Sequence, residues 1–479
     1  MAIGVNAVWR IRPGGNAANG AGFDSTIAGA GNDYTQQDTA AATWTHLNMA
    51  GTTTLTDPDG GNKFASALIG NAVRVNSAYY FITGYTDANN VTVDRSATFT
   101  NAAGKVGGAA VISGVLPDCI NVYSAAGNIA VGGNTVYIMG AGSNYPSSND
   151  YQVNSYVNGL AGGNATNGFI KYIGHNGRPR IAAASGNALI LYPASSYVYL
   201  NNIYFFATGG TYNRLIDVTN NNCIYGNVFD CNDQDCDGID TVTGTYNSVV
   251  ANNEIFGKIS GPATRASRAG IYLNSTECLV VGNCIHHHGG HGIHVTNQQC
   301  YLYNNLIYRN SLNGINIAGY LYLIIISGNT VNRCSGHGIA IGVTPPQIVI
   351  YNNLITNITV ATKYGLAMTT GTAAANNNLC LLLNNNAFYG NTVGNYTGCS
   401  AASSDVAITD DPFISETNND YRLNSSNSGG KMAQGKGFPG LFPGNAQLTK
   451  SYLDIGAVQH ADTSASANII RSHIIQRIR

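Results

Sequence analysis

Residues able to do chemistry are few in this chain and are concentrated in its middle. The most acidic stretch runs from Asp230 to Asp240, and within it Asp233-x-Asp235-x-Asp237-Gly238 repeats the first half of a calcium loop. In such a loop alternate carboxylates wrap a hard cation and the glycine permits the turn. The twelfth position of an EF-hand would fall on Gly244, which excludes that motif and leaves a shorter calcium-binding insertion or a merely solvated loop. Six of the ten histidines follow, at His286, His287, His288, His291, His294 and His337. Imidazole with carboxylate suits zinc, and tyrosine rings stack on sugars, so the outward set Asp240, Tyr272, His294 and Asn316 is read as a substrate-binding row. The bland alternative is that turn and outer-face positions are simply polar and solvated. No phosphate-cradling glycine loop and no G-x-S-x-G nucleophile context occurs, and no residue is singled out as catalytic.

These residues are set on a repeat. One phrase, Asn/Gly-Asn-x-apolar, recurs at Asn202, Asn227, Asn253, Asn283, Asn305, Asn329, Asn353 and Asn386, in steps of 25, 26, 30, 22, 24, 24 and 33. A second, Gly-apolar-x-apolar, recurs at Gly238, Gly270, Gly292, Gly314, Gly338 and Gly365, in steps of 32, 22, 22, 24 and 27. Two phrases on one period imply stacked coils of short strands, each coil about 4.8 Å from the next. The apolar residues of the second phrase are two apart, so Ile293 and Val295 should point inward and stack on Ile315 and Ile317, then on Ile339 and Ile341. The Asn of the first phrase should turn a sharp corner in a left-handed conformation, with its amide bonding to the next coil. The longer steps place insertions near 257–268 and 357–378.

Composition agrees. There are 60 Asn and 58 Gly, while charged residues make up only 10% and hydrophobic ones 44%. That combination excludes charge-driven disorder and a mainly helical fold. A net charge of -1 gives no electrostatic footprint for nucleic acid or an anionic membrane. No signal peptide and no apolar run long enough to span a bilayer is expected. The ten cysteines form no CxxC pair and read as buried thiols, with Cys231 and Cys236 close enough in sequence to pair.

The pattern GN-x-I with G-I-x-I, closed by Asp411-Pro412-Phe413, Asp420-Tyr421-Arg422-Leu423 and Asp454-Ile455-Gly456-Ala457, resembles the right-handed parallel β-helix family of pectate-lyase-like proteins over residues 120–460. The fold expected is therefore all-β: residues 1–115 form a β-rich head, 116–460 a right-handed parallel β-helix, and 461–479 an apolar, basic tail that docks on a partner or sibling subunit. Residues 20–24, 32–38 and 91–95 are similar to β-helix proteins among bacteriophage structural genes. That likeness implies a virion protein, a capsid decoration, fibre or tailspike, assembled in the host cytoplasm; the shortage of groups able to do chemistry makes a non-enzymatic structural role the expectation. It would be a homotrimer attached to a phage capsid or tail protein, and host surface polysaccharide is a further candidate partner. The alternatives are a tailspike-type depolymerase or a polysaccharide-binding adhesin. Asp237-Gly238-Ile239-Asp240 and Ser335-Gly336-His337-Gly338 resemble polygalacturonase motifs, but Gly238 and Gly338 should lie four coils apart, about 20 Å, too far for one active site.

Overall fold

A computed structural model describes residues 8–11, 40–69, 72–76, 78–107, 132–139, 151–153, 162–175, 177–183, 189–190, 196–207, 214–232, 236–257, 269–319, 322–342, 347–368, 380–438 and 454–458. They fall into two compact units, the first built from residues 1–185, 189–206 and 219–223, the second from 186–188, 207–218 and 224–479. Among the described residues no helix is long and apolar enough to cross a membrane.

The first unit holds a closed barrel of six strands, Ala40–Ala50, Thr54–Thr56, Ala72–Val75, Ala78–Asp87, Asn90–Val93 and Thr98–Gly107. Alternating strand residues fill it: Trp44, Leu47, Leu55, Val73, Val91 and Val106 are buried together. The barrel strands lie at 40–107, within the span 1–115 expected to form a β-rich head. Strand Val8–Ile11 lies outside the barrel and pairs in parallel with Thr135–Met139, which pairs in turn with Ile170–His175. In the order of the sequence, the barrel strands thus fall between two strands of one parallel sheet.

The second unit is a solenoid of seven coils with three strands each. In the fourth coil, for example, they are Cys300–Tyr303, Leu306–Tyr308 and Ile315–Ile317. Each strand pairs in parallel with its counterpart one coil away, so three sheets run along the solenoid. Ile293 stacks on Ile315 and Val295 on Ile317, and these continue to Ile339 and Ile341, all without solvent exposure. The glycine before each such isoleucine is required by packing: a Cβ on Gly292 would stand 2.6 Å from the Gly314 carbonyl oxygen and 2.5 Å from Ile307. The closing motifs pack over the second sheet, where Phe413, Tyr421, Leu423 and Ile455 share an apolar cluster with Tyr308, Leu354 and Ala387. The tail at 461–479, residues 258–268 of the first insertion and residues 369–378 of the second lie outside the described residues.

The Asn corner divides into two positions with different work. The first residue takes the left-handed conformation: Gly226, Asn252, Gly282, Asn304, Gly328, Asn352 and Asn385 have φ between 50° and 66°. The second is always Asn, buried, and forms a ladder. Asn305 donates its backbone N–H and its Nδ2–H to Oδ1 of Asn329, both at 2.9 Å, and Nδ2 also reaches the Val280 carbonyl at 3.0 Å. Its own Oδ1 accepts the same pair of bonds from Asn283. Asp405 ends the series by accepting the Asn386 N–H at 2.7 Å. Asn202 proves to be a left-handed residue followed by buried Ile203, so the ladder starts at Asn227. Substituting Asn305→Ala should destabilise the fold by about 3 kcal/mol or more, because several buried groups lose their partners together. Asn304→Gly should stay within about 0.5 kcal/mol, since glycine takes the left-handed conformation freely. Denaturant unfolding of the two variants reads the difference directly.

Candidate functional site

The candidate site lies on the outward face of the third sheet. Register places Asp240 beside Tyr272, Tyr272 beside His294, and His294 beside Asn316, so the four residues expected to form a row do stand on consecutive strands. The row extends one coil further to Asp217, on strand Arg214–Val218, which pairs with Asp240. This extension was missed in the sequence although a signal existed: Ile216-Asp217 sits 23 residues, one coil, before Ile239-Asp240.

Arg214 gathers the carboxylates. Its NH1 group lies 2.5 Å from Asp240 Oδ2, and its Nε lies 2.7 Å from Asp217 Oδ1, an ion contact whose angle falls short of a hydrogen bond. Asp217, Asp237 and Asp240 are all buried. Asp237 turns its Oδ1 to the Ala269 N–H, at 2.6 Å. Burial pushes the Asp217 carboxyl up to about 7; Arg214 opposes that rise and Asp240 adds to it. Two carboxylates on adjacent strands with one guanidinium between them thus hold a proton near neutrality. Such a pair can act as acid and base.

The histidines divide by role. His294 meets Tyr272 edge to face at 5.1 Å and His291 at 4.9 Å, and neither of its ring nitrogens has a partner among the described residues. Burial lowers its pKa to about 4, so near neutrality it offers one donor and one acceptor. His291 and His337 instead serve the backbone, each Nδ1 accepting an N–H from the next coil, Asn313 at 3.2 Å and Tyr364 at 3.0 Å. That fixes the proton on Nε2, and burial with His294 and His288 nearby lowers His291 to about 3. His286 is sandwiched between Phe256 and Tyr308, at 5.3 and 4.8 Å, in an aromatic stack on the second sheet.

Of the carboxylates proposed for calcium, Asp233 and Asp235 lie outside the described residues and Asp237 is committed to the Ala269 amide. Among the described residues no group of three or more His, Cys, Asp or Glu side chains could hold a metal ion. Cys231 and Cys236 are both buried free thiols, and burial raises other thiols such as Cys223 to about 12.

Residues 258–380 match the family described as "Right handed beta helix region". The chain folds as a right-handed parallel β-helix. Residues 346–436, the last coils with part of the segment covering them, also match a family described as "Disaggregatase related". No curated protein matches the sequence. Among solved structures the β-helix is similar to pectate lyase Pel9A, with 12% identity over 73% of this chain and 92% of that one at a TM-score of 0.44. It is also similar to the catalytic unit of a thermostable GH87 alpha-1,3-glucanase from Streptomyces thermodiastaticus, with 15% identity over 71% and 83% at a TM-score of 0.36. A periplasmic alginate epimerase aligns with 13% identity over 58% and 76% at a TM-score of 0.30.

Asp217 also makes stability depend on pH. Its carboxyl titrates higher in the folded chain, about 7, than in the unfolded one, so its contribution is complete below about pH 4 and declines as pH rises to about 7. Asp217→Asn should flatten that decline. Between about pH 4 and pH 8 the native chain should lose up to about 4 kcal/mol more than the variant. Denaturant unfolding across that range checks it, and parallel curves for the two proteins would contradict the assignment.

Proposed function

We propose that this β-helix binds a polysaccharide along the third sheet and cleaves it at Asp217 and Asp240. The observation that carries this reading is the buried carboxylate pair sharing Arg214 at the head of the row Tyr272, His294 and Asn316. Asp217, protonated near neutrality, would give its proton to the glycosidic oxygen. Asp240, held by Arg214, would bond to the anomeric carbon as the glycosidic bond breaks, and water, giving a proton back to Asp217, would then release the sugar. Adjacent strands about 4.8 Å apart suit the short carboxyl separation of about 5 Å used when configuration is retained. Tyr272 would stack on a sugar ring while His294 and Asn316 bond to hydroxyls. Incubation with bacterial surface and plant polysaccharides should release reducing ends, with the rate falling as pH rises through about 7. Asp217→Asn and Asp240→Asn should each lower that rate by about 10²–10⁴-fold. No release from any glycan, or full activity in both variants, would sink the reading.

A second reading, a non-enzymatic structural protein of a phage particle, is favoured by the outward face of the first sheet. There Val249, Leu279, Tyr301, Ile325, Val349 and Leu382 form one uncharged row across six coils. Leu382 is 57% exposed. A second copy of this chain presents the same row at the same strand spacing, so identical helices can pack side by side, as in the expected homotrimer. Sedimentation should show a trimer that dissociates in the double variant Ile325→Lys with Leu382→Lys. A monomeric native chain would contradict it. Mass spectrometry of phage particles separates decoration, with copy numbers near those of the capsid protein, from a tailspike present as a few trimers; absence from particles removes the virion reading.

A further inference from the structure

The corner between the second and third strands contains a second cluster of chemistry that the third-sheet site does not use. In five consecutive coils one residue there takes the left-handed conformation: His287, Arg309, Arg333, Asn357 and Gly390, with φ of 50°, 54°, 49°, 56° and 64°. Asn and Gly do this readily, whereas a long side chain with a full Cβ is strained. Two successive coils nevertheless use arginine. Their backbones are tied coil to coil, Arg309 N–H to the Asn332 carbonyl at 3.0 Å and Arg333 N–H to the Thr356 carbonyl at 3.2 Å. The two cationic side chains therefore leave the corner about one strand spacing apart, roughly 4.8 Å.

Only one of them is neutralised. Arg333 pairs with the buried carboxylate of Glu416, which also accepts Asn332 Nδ2–H at 2.8 Å and Asn357 Nδ2–H at 3.3 Å. Arg309 has no ion pair among the described residues. Burial, then His286 and the charge of Arg309, depress the pKa of His287. Both arginines line a cleft of about 510 Å³ whose walls include Ser335, Asn357, Thr359 and the exposed aliphatic Val360. The cleft thus combines a net positive charge, neutral hydrogen-bonding groups and one apolar edge, in a chain with few charges to spare.

We propose that this cleft is a binding site for an anionic sugar unit, held through its carboxylate or sulfate by Arg309, with Arg333 and Ser335 beside it. A guanidinium forms paired bonds to either oxyanion, and strain retained at a corner that Asn would satisfy marks a residue kept for contact with a ligand. The anion preference stands on the cleft alone; that its carrier is a sugar rests on the polysaccharide reading above.

The test is calorimetric titration of the full chain with a hyaluronan tetrasaccharide, a heparin-derived tetrasaccharide and neutral maltotetraose, beside thermal unfolding. At least one anionic probe should bind, and maltotetraose at least tenfold more weakly. Arg309→Asn should weaken anionic binding at least tenfold while leaving the melting temperature unchanged or raised, since strain is relieved. Asp217→Asn should keep the anionic affinity, which separates this site from the cleavage reading. Equal binding of neutral and anionic probes, binding of neither anionic probe, or unchanged anionic affinity in Arg309→Asn overturns the proposal. A fall in melting temperature in Arg309→Asn with no loss of binding assigns the arginine a purely structural role and overturns it as well.

Discussion

The rest of this structure depends on the amide ladder at the first corner. A coil of three short strands cannot bury its own polar backbone, and each corner leaves N–H and carbonyl groups turned inward. Asn227 to Asn386 satisfy them by bonding coil to coil, with Asn253 Nδ2 reaching the Ile224 carbonyl and the next amide in the same gesture. The ladder locks the register of the first and second strands. Once that register is set, the third strand has little freedom, since Gly270 and Gly292 admit no Cβ against the next coil. A slip by one residue would turn Ile293 out and His294 in.

That constraint makes the outward row of the third sheet usable as a site. Inward positions are all committed to packing, while outward positions are held at fixed spacing and are otherwise unrestricted. Asp217 and Asp240 face the same way because Ile216 and Ile239 are stacked in the core. Burial then separates their chemistry: with one guanidinium for two carboxylates, a proton is retained close to neutral pH. A chain poor in charge has few places where this can happen, and this one lies on paired strands, where sites are positioned most accurately.

Much of this was legible in the sequence because a solenoid converts spacing into position. The isoleucine pairs and the row Asp240, Tyr272, His294 and Asn316 followed from the step lengths alone. What escaped notice were features without a local signature. Asp217 lies on a strand where Arg214 takes the place of the aspartate at Asp237, so the repeat phrase breaks off one coil early. The corner's division of labour was hidden because Asn serves both as left-handed residue and as ladder member, as Asn304 and Asn305 show. The place of Val8–Ile11 depends on pairing with a strand more than a hundred residues away, which no window of sequence reveals. Histidine roles were equally opaque, since His291 and His294, three residues apart, serve the backbone and the outward row respectively.

The most direct test of this account is the titration of a single carboxyl group. In a chain labelled with ¹³C at aspartate side chains and assigned by comparison with Asp217→Asn, the Asp217 carboxyl should titrate with a midpoint near 7, as its burial beside Asp240 requires. A midpoint below about 5, the ordinary range for an aspartate, would mean that Arg214 fully neutralises the pair and that the third sheet holds an ion cluster with no proton to give.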